Sequence, residues 1–288
     1  MCMGDFSEEW MEGGPARGAN ERQPSESEVR MARLVRTIEG EIVPRLVLAR
    51  RVTIVPEENG ARDHRAPDDS DVKELVRLLL AHDVAVVSAY VETVRQRGAT
   101  LELICLKLLA PAARELGLLW EEDECDFMQV TVGLCRLHQL LRELSPEFRC
   151  DETERTLERR ILLAACPGEQ HTFGLSVVAQ FLRRAGWDVW HEFPGKSADI
   201  LELVRQYWFA VVGLSVGSEA RVDTVASTIR AIRQASRNRG VGVMVGGPIL
   251  LAKPELALLV GADATAADGP QAVLRAEHMC SLQRAMNG

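Results

Sequence analysis

The segment Glu169-Gln170-His171-Thr172-Phe173-Gly174 places a carboxylate two residues before an imidazole and a glycine three residues after it. An imidazole can bind a metal through one ring nitrogen while the other donates to a carboxylate, which fixes the tautomer and raises the basicity of the ligating nitrogen. Two further groups belong with it by position. Forty residues separate Gly174 from Ser215-Val216-Gly217, and 28 separate Gly217 from Gly246-Gly247. Glycines at such points let the backbone come close to a bulky group where a side chain would intervene. The bland alternative is a polar loop with helix caps and two ordinary turns.

The elements that carry these groups are legible from periodicity. From Arg160 onward, "RRILLAAC", "WDVWHEF", "FAVVGLSV", "GVGVMVGG" and "GADATAA" are short, apolar and rich in β-formers, and helical patterns separate them. That alternation predicts a Rossmann-like α/β domain, a five-stranded, mostly parallel sheet with helices on both faces. Ligands in such folds bind beyond the carboxyl ends of the strands. The Glu169 to Gly174 stretch follows the first strand, Ser215 to Gly217 the third, and Gly246-Gly247 the fourth.

Ahead of this domain, "DVKELVRLLLAHD", "VAVVSAYVETVRQRG", "LELICLKLLAPAARELG" and "DFMQVTVGLCRLHQLLREL" each place apolar residues on one helical face. Ser70 is read as a start signal, and Gly98 and Gly117 as stop signals. Short links between short helices predict an all-α antiparallel bundle. A further helix is expected from Val29 through Leu34, Val35, Ile38 and Ile42 to Pro44. The domain division is a disordered tail at 1–27, the bundle at 28–150 and the α/β domain at 151–288.

Composition narrows the class. With 47% hydrophobic and 26% charged residues the chain reads as globular, and no apolar run approaches the roughly 20 residues of a spanning helix. The acidic start lacks the apolar segment of a secretory leader, so a cytoplasmic protein without membrane attachment is expected. A net charge of −8 opposes a broad nucleic-acid surface. Arg183, Arg184, Arg233, Arg237 and Arg239 are read as solvated helix ends. The seven cysteines are scattered, with no C-x-x-C pair, so neither a disulfide framework nor a zinc knuckle is signalled.

The three groups and their separations resemble the cobalamin-binding domain of corrinoid proteins, whose pattern is D-x-H-x-x-G, S-x-L and G-G. That resemblance implies that His171 is the cobalt ligand from below, replacing the cofactor's own benzimidazole, and that Glu169 orients it. It implies that Thr172, Phe173, Gly174, Ser215, Val216, Gly217, Gly246 and Gly247 surround the displaced nucleotide tail. Two positions depart from the pattern. Glu169 stands in place of Asp, as in cobalamin photoreceptors of the same superfamily, and Gly217 stands in place of Leu.

In those proteins a helical bundle covers the upper face of the corrin. The run Trp120-Glu121-Glu122-Asp123-Glu124-Cys125 looks like the motif in which a tryptophan shields the upper axial group, with Cys125 where light-sensing relatives have histidine. Trp120 is then a cap or a core residue, and His138 a ligand candidate or an ordinary helix residue.

Together, "PGEQHTFGLSVVAQFLRRAGWDVW" and the run from Trp120 to Leu137 resemble the AerR/PpaA family of cobalamin-binding antirepressors. The resemblance implies a non-enzymatic, light- and redox-responsive regulator of photosynthesis and pigment genes, which binds a repressor of CrtJ/PpsR type and reaches DNA through it. Two alternatives share the fold: a small corrinoid protein that carries methyl groups, and a heme-binding redox sensor.

Overall fold

The computed structural model describes residues 66–148, 157–169, 171–192 and 197–287. The expected tail, the helix at 28–44 and the boundary at residue 150 lie outside them. Among the described residues the bundle comprises α1 (Asp69–Ala81), α2 (Val84–Gln96), α3 (Ala110–Glu121) and α4 (Phe127–Leu144). Two of the three local stop and start signals resolve differently from the sequence reading. The cap of α1 is Asp68, which accepts from the Ser70 and Asp71 amides in a capping box, so Ser70 lies inside the helix. Gly98 does end the second helix, with φ +96°. Gly117 sits within α3, where a Cβ would meet nothing within 4 Å. Half-buried and free of steric conflict, it leaves the helix to continue to Glu121.

The approach to α3 begins with a turn at Leu101–Leu103 and runs as π-helix over Ile104–Leu109. Pro111 explains the widened register. It has no N–H to give and its ring crowds the carbonyl one turn earlier, so the Ala110 amide bonds to the Cys105 carbonyl instead. The bundle core gathers Leu75, Leu79, Ile104, Leu108, Leu109, Leu116, Leu137 and Leu140, each essentially inaccessible.

The α/β domain alternates β1 (Arg160–Ala165), α5 (Phe173–Arg184), β2 (Asp188–Glu192), α6 (Ser197–Gln206), β3 (Val211–Ser215), α7 (Val222–Ala235), β4 (Gly242–Gly246), the short α8 (Pro248–Ala252) and α9 (Leu256–Leu259), β5 (Ala264–Ala266) and α10 (Gly269–Asn287). All five strands are parallel, in the order β2-β1-β3-β4-β5. The apolar strands have core on both sides, as buried parallel strands require. Ile200, Val204, Ile229 and Ile232 cover one face; Leu175, Ala179, Ala272 and Ala276 cover the other.

Helix α5 serves two cores. Its Leu175 and Ala179 face the sheet, while Phe173, Val177 and Phe181 join the bundle core. Phe181 meets Phe148 edge-on at 5.8 Å between ring centres. The expected basic helix ends are engaged with neighbours: Arg184 pairs with Glu102 at 2.9 Å and Arg233 with Asp263 at 2.7 Å, while Arg237 and Arg239 donate to the Gln206 and Gln234 carbonyls. Cys105, Cys166 and Cys280 are buried, Cys125 is half-buried and Cys135 exposed.

His191 on β2 gives the fold an acid sensitivity. Burial, with help from Arg183 and His138, pushes its pKa down to about 4. The folded chain therefore holds this ring neutral where the unfolded chain protonates it. Stability is complete above pH 6.5 and declines as pH falls towards 4, by at most about 3 kcal/mol from this group. Urea denaturation at pH 7 and pH 4.5 should show that decline, and His191→Leu should flatten it.

Candidate functional site

The strand register brings the three sequence groups into one row. Ala165 pairs with Ser215, and Ser215 with Gly246, so the loops after β1, β3 and β4 leave the sheet side by side. The chain moves from β1 outward to β2 and then returns to β3 on the other side, which makes the gap between β1 and β3 the topological switch point. Backbone bonds extend the alignment past the strands: Cys166 N donates to Ser215 O, and Val216 N to Gly246 O, both at 2.9 Å.

In this crevice Glu169 is buried, at 3% exposure, while the His171 side chain is 68% exposed. One carboxylate oxygen, Oε1, accepts from the His171 amide at 2.9 Å and lies 2.5 Å from His171 Nδ1. The other, Oε2, accepts from the Gly217 amide at 2.5 Å. Burial alone would raise the Glu169 pKa, but these donors and the imidazole's charge hold it at about 2. The same contact works in the opposite direction on His171, whose pKa is raised chiefly by its bond to Glu169, against desolvation, with Glu121 of the bundle adding to it and Arg221 subtracting. An ionised carboxylate on Nδ1 keeps that nitrogen as the donor. The Nε2 lone pair is then the free coordination point once the ring is neutral.

The glycines act for different reasons. Gly247 has φ +124°, and a Cβ there would lie 2.1 Å from the Val216 carbonyl oxygen. A Cβ on Gly246 would lie 3.0 Å from the Ala266 carbonyl oxygen, and one on Gly174, in the first turn of α5, would meet nothing within 4 Å. Ser215 closes β3 at the same edge.

Two expected cofactor residues pack into the two cores. Phe173 packs edge-on against His138 of α4 at 5.1 Å between ring centres, and Val216 is buried in the core under α6 and α7. Thr172 is buried and precedes α5 without capping it through its side chain. Trp120 is 47% exposed at the end of α3, next to the Glu121 whose charge acts on His171. That excludes a core position for its ring. His138 is half-buried with Nδ1 2.9 Å from the Leu134 carbonyl, and burial lowers its pKa.

Sequence reasoning passed over two residues that shape this loop. Gly168, with φ +80°, leaves no room for a Cβ beneath Arg221, whose guanidinium donates to the Pro167 carbonyl at 3.1 Å. The Pro167-Gly168 dipeptide is a turn signal that marks the first of these. Nothing local marks Arg221, which arrives from beyond β3.

A single exposed histidine fits a metal that brings its own equatorial ligands. Among the described residues no cluster of three or more His, Cys, Asp or Glu side chains could hold a bare ion. An exposed histidine with a carboxylate-fixed tautomer and glycine-lined loops at the switch point fit a B12-binding α/β domain carried behind a helical bundle. Comparison with known proteins agrees. The family described as "B12 binding domain" matches residues 159–276, and a second family of the same description matches 72–133. The monomethylamine corrinoid protein of Methanosarcina barkeri superposes with a TM-score of 0.60 at 16% identity, over 74% of this chain and 99% of that one, a likeness of fold. A 20.5 kDa protein in the bchF-crtJ intergenic region of Rhodobacter capsulatus is 32% identical over 169 residues, 59% of this chain and 88% of its own length. The chain belongs to the AerR/PpaA family of B12-binding proteins. No helix among the described residues is long and apolar enough to cross a membrane.

Proposed function

We propose that the protein ligates the cobalt of cobalamin through His171 and acts as a light- and redox-responsive antirepressor, binding a repressor of CrtJ/PpsR type and reaching DNA through that partner. The observation that carries the site is the Glu169 to His171 pair: a buried carboxylate grips Nδ1 of an exposed ring, at the switch point of a parallel sheet. The regulatory part draws on kinship with the protein from the bchF-crtJ intergenic region. When bound, the corrin supplies a cobalt–carbon bond that light can break and a cobalt that can change oxidation state.

The chain's own residues set the state of that ligand. Glu169 holds the Nδ1 proton in place, so neutral His171 presents Nε2 outward. Gly217 N–H holds Glu169 in turn. Glu121 connects His171 electrostatically to the bundle, beside the exposed face of Trp120. Two states of the site that differ in their bundle contacts would give a partner something to distinguish.

Full-length protein is to be reconstituted with hydroxo- and adenosylcobalamin, in darkness and after illumination, and offered to the immobilised repressor. A retained corrin spectrum and repressor capture that differs between the two states are expected. Retention of heme in place of a corrin, or methyl transfer to a thiol acceptor without repressor binding, would overturn the reading.

A further inference from the structure

Gly217 differs from Gly168 and Gly247, the site glycines with positive φ, in that its own φ is not positive. The reason for its missing side chain is therefore steric. A Cβ on Gly217 would stand 2.4 Å from Glu169 Oε2, 2.9 Å from its Cδ and 3.0 Å from Oε1. The whole carboxylate occupies the space that a side chain at position 217 would fill.

The same carboxylate bridges two loops 48 residues apart in sequence, with one oxygen on His171 and the other on the Gly217 amide. A shorter carboxylate at position 169 would fall about one C–C bond, roughly 1.5 Å, short of one of these donors. The extra methylene of Glu169 and the bare backbone of Gly217 therefore answer each other. We infer that Glu169 and Gly217 are a matched pair, and that Gly217 is a positioning residue that sets the orientation and tautomer of His171 through Glu169. The two departures from D-x-H and S-x-L are one change made in two places.

The consequence for cobalt rests on the proposed ligation by His171; the pairing itself does not. Burial of Glu169 makes the arrangement exacting. A carboxylate evicted by a side chain at 217 must find other donors or lose its charge, and His171 then loses the acceptor on Nδ1.

The test uses the full chain and the variants Glu169→Gln, Glu169→Asp, Gly217→Ala, Gly217→Leu and the double Glu169→Asp/Gly217→Leu. In cofactor-free protein, NMR should find the Gly217 amide proton far downfield and the His171 ring nitrogens in the Nδ1–H tautomer. Glu169→Gln should move the amide upfield, and Gly217→Ala should mix the tautomers. In hydroxocobalamin titrations, Gly217→Leu should weaken binding by about tenfold or more, the effect of losing a partner that orients a metal ligand. The double variant should bind better than Gly217→Leu alone, because the shorter carboxylate leaves room for the leucine.

A Gly217 resonance indifferent to Glu169→Gln overturns the pairing. So does a double variant whose loss equals the product of the single losses. If wild type binds no corrin while the amide and tautomer respond as described, the pairing stands and the cofactor reading falls.

Discussion

Replacing His171 by Ala is expected to weaken cobalamin binding by at least about 100-fold and to leave the spectrum of any residual corrin unperturbed by the protein. Losing even a group that only supports a ligand costs about 10- to 100-fold, and His171 is read as the ligand itself. The loss would not reflect unfolding. The side chain is 68% exposed, and Glu169 keeps the backbone donors at residues 171 and 217. One bond to a buried carboxylate disappears, so stability should fall by only about 1–2 kcal/mol. Visible spectroscopy with hydroxocobalamin, alongside urea denaturation of the cofactor-free variant, separates the two effects. A variant whose bound cobalamin keeps the wild-type protein's spectrum would remove His171 from the cobalt.

Gly247→Ala should have the opposite profile, a large loss of stability whatever the cofactor does. At φ +124° an L-residue is strained, and such strain costs on the order of 1–3 kcal/mol. The added Cβ also lands 2.1 Å from Val216 O, 2.9 Å from Val216 C and 3.0 Å from Val216 N. These are backbone atoms of the adjacent strand end, so no rotamer change relieves the contact. Two mechanisms act at one atom, and the sum should reach about 4 kcal/mol, within the exceptional range for a single substitution. Against a typical total of about 5–15 kcal/mol this is enough to lower the melting temperature by many degrees or to prevent soluble expression. Gly174→Ala is the contrast. Its Cβ meets nothing, so the fold should tolerate it. Any fall in cobalamin affinity in that variant then reports a bound group passing over the start of α5.

These glycines also show where reading the sequence succeeded and where it stopped. Spacing placed Gly174, Gly217 and Gly246-Gly247 at strand ends, because continuous apolar runs such as "RILLAA" and "VVGLS" have few ways to fold other than as buried parallel strands. Register then followed from the parallel order. What spacing could not reveal was the use of each position. Gly247 serves backbone conformation and Gly217 serves clearance for a carboxylate 48 residues earlier, a contact with no local signature. Phe173 lies in the site motif by sequence, yet its direction is fixed by the bundle, so its ring belongs to another core. The same limit applies to the ends of helices. Whether Asp68 or Ser70 caps α1 depends on which backbone is extended, and Gly117 stops nothing because the next turn still packs. The widened turn before Pro111 needs knowledge of which carbonyls the ring displaces.

Phe173 has a wider consequence. It lies two residues from His171, and its ring is part of the bundle's interior against His138. With His171 as the proposed cobalt ligand, its occupancy and the cohesion of the helices would be terms of one equilibrium, joined through a linkage shorter than a single helical turn. Thermodynamic reciprocity then applies in both directions. Whatever cobalamin does to the tightness of the helices, a molecule that grips or loosens the helices must do to cobalamin affinity by the same factor. A binding partner of the bundle would hold the corrin more firmly or release it without touching it.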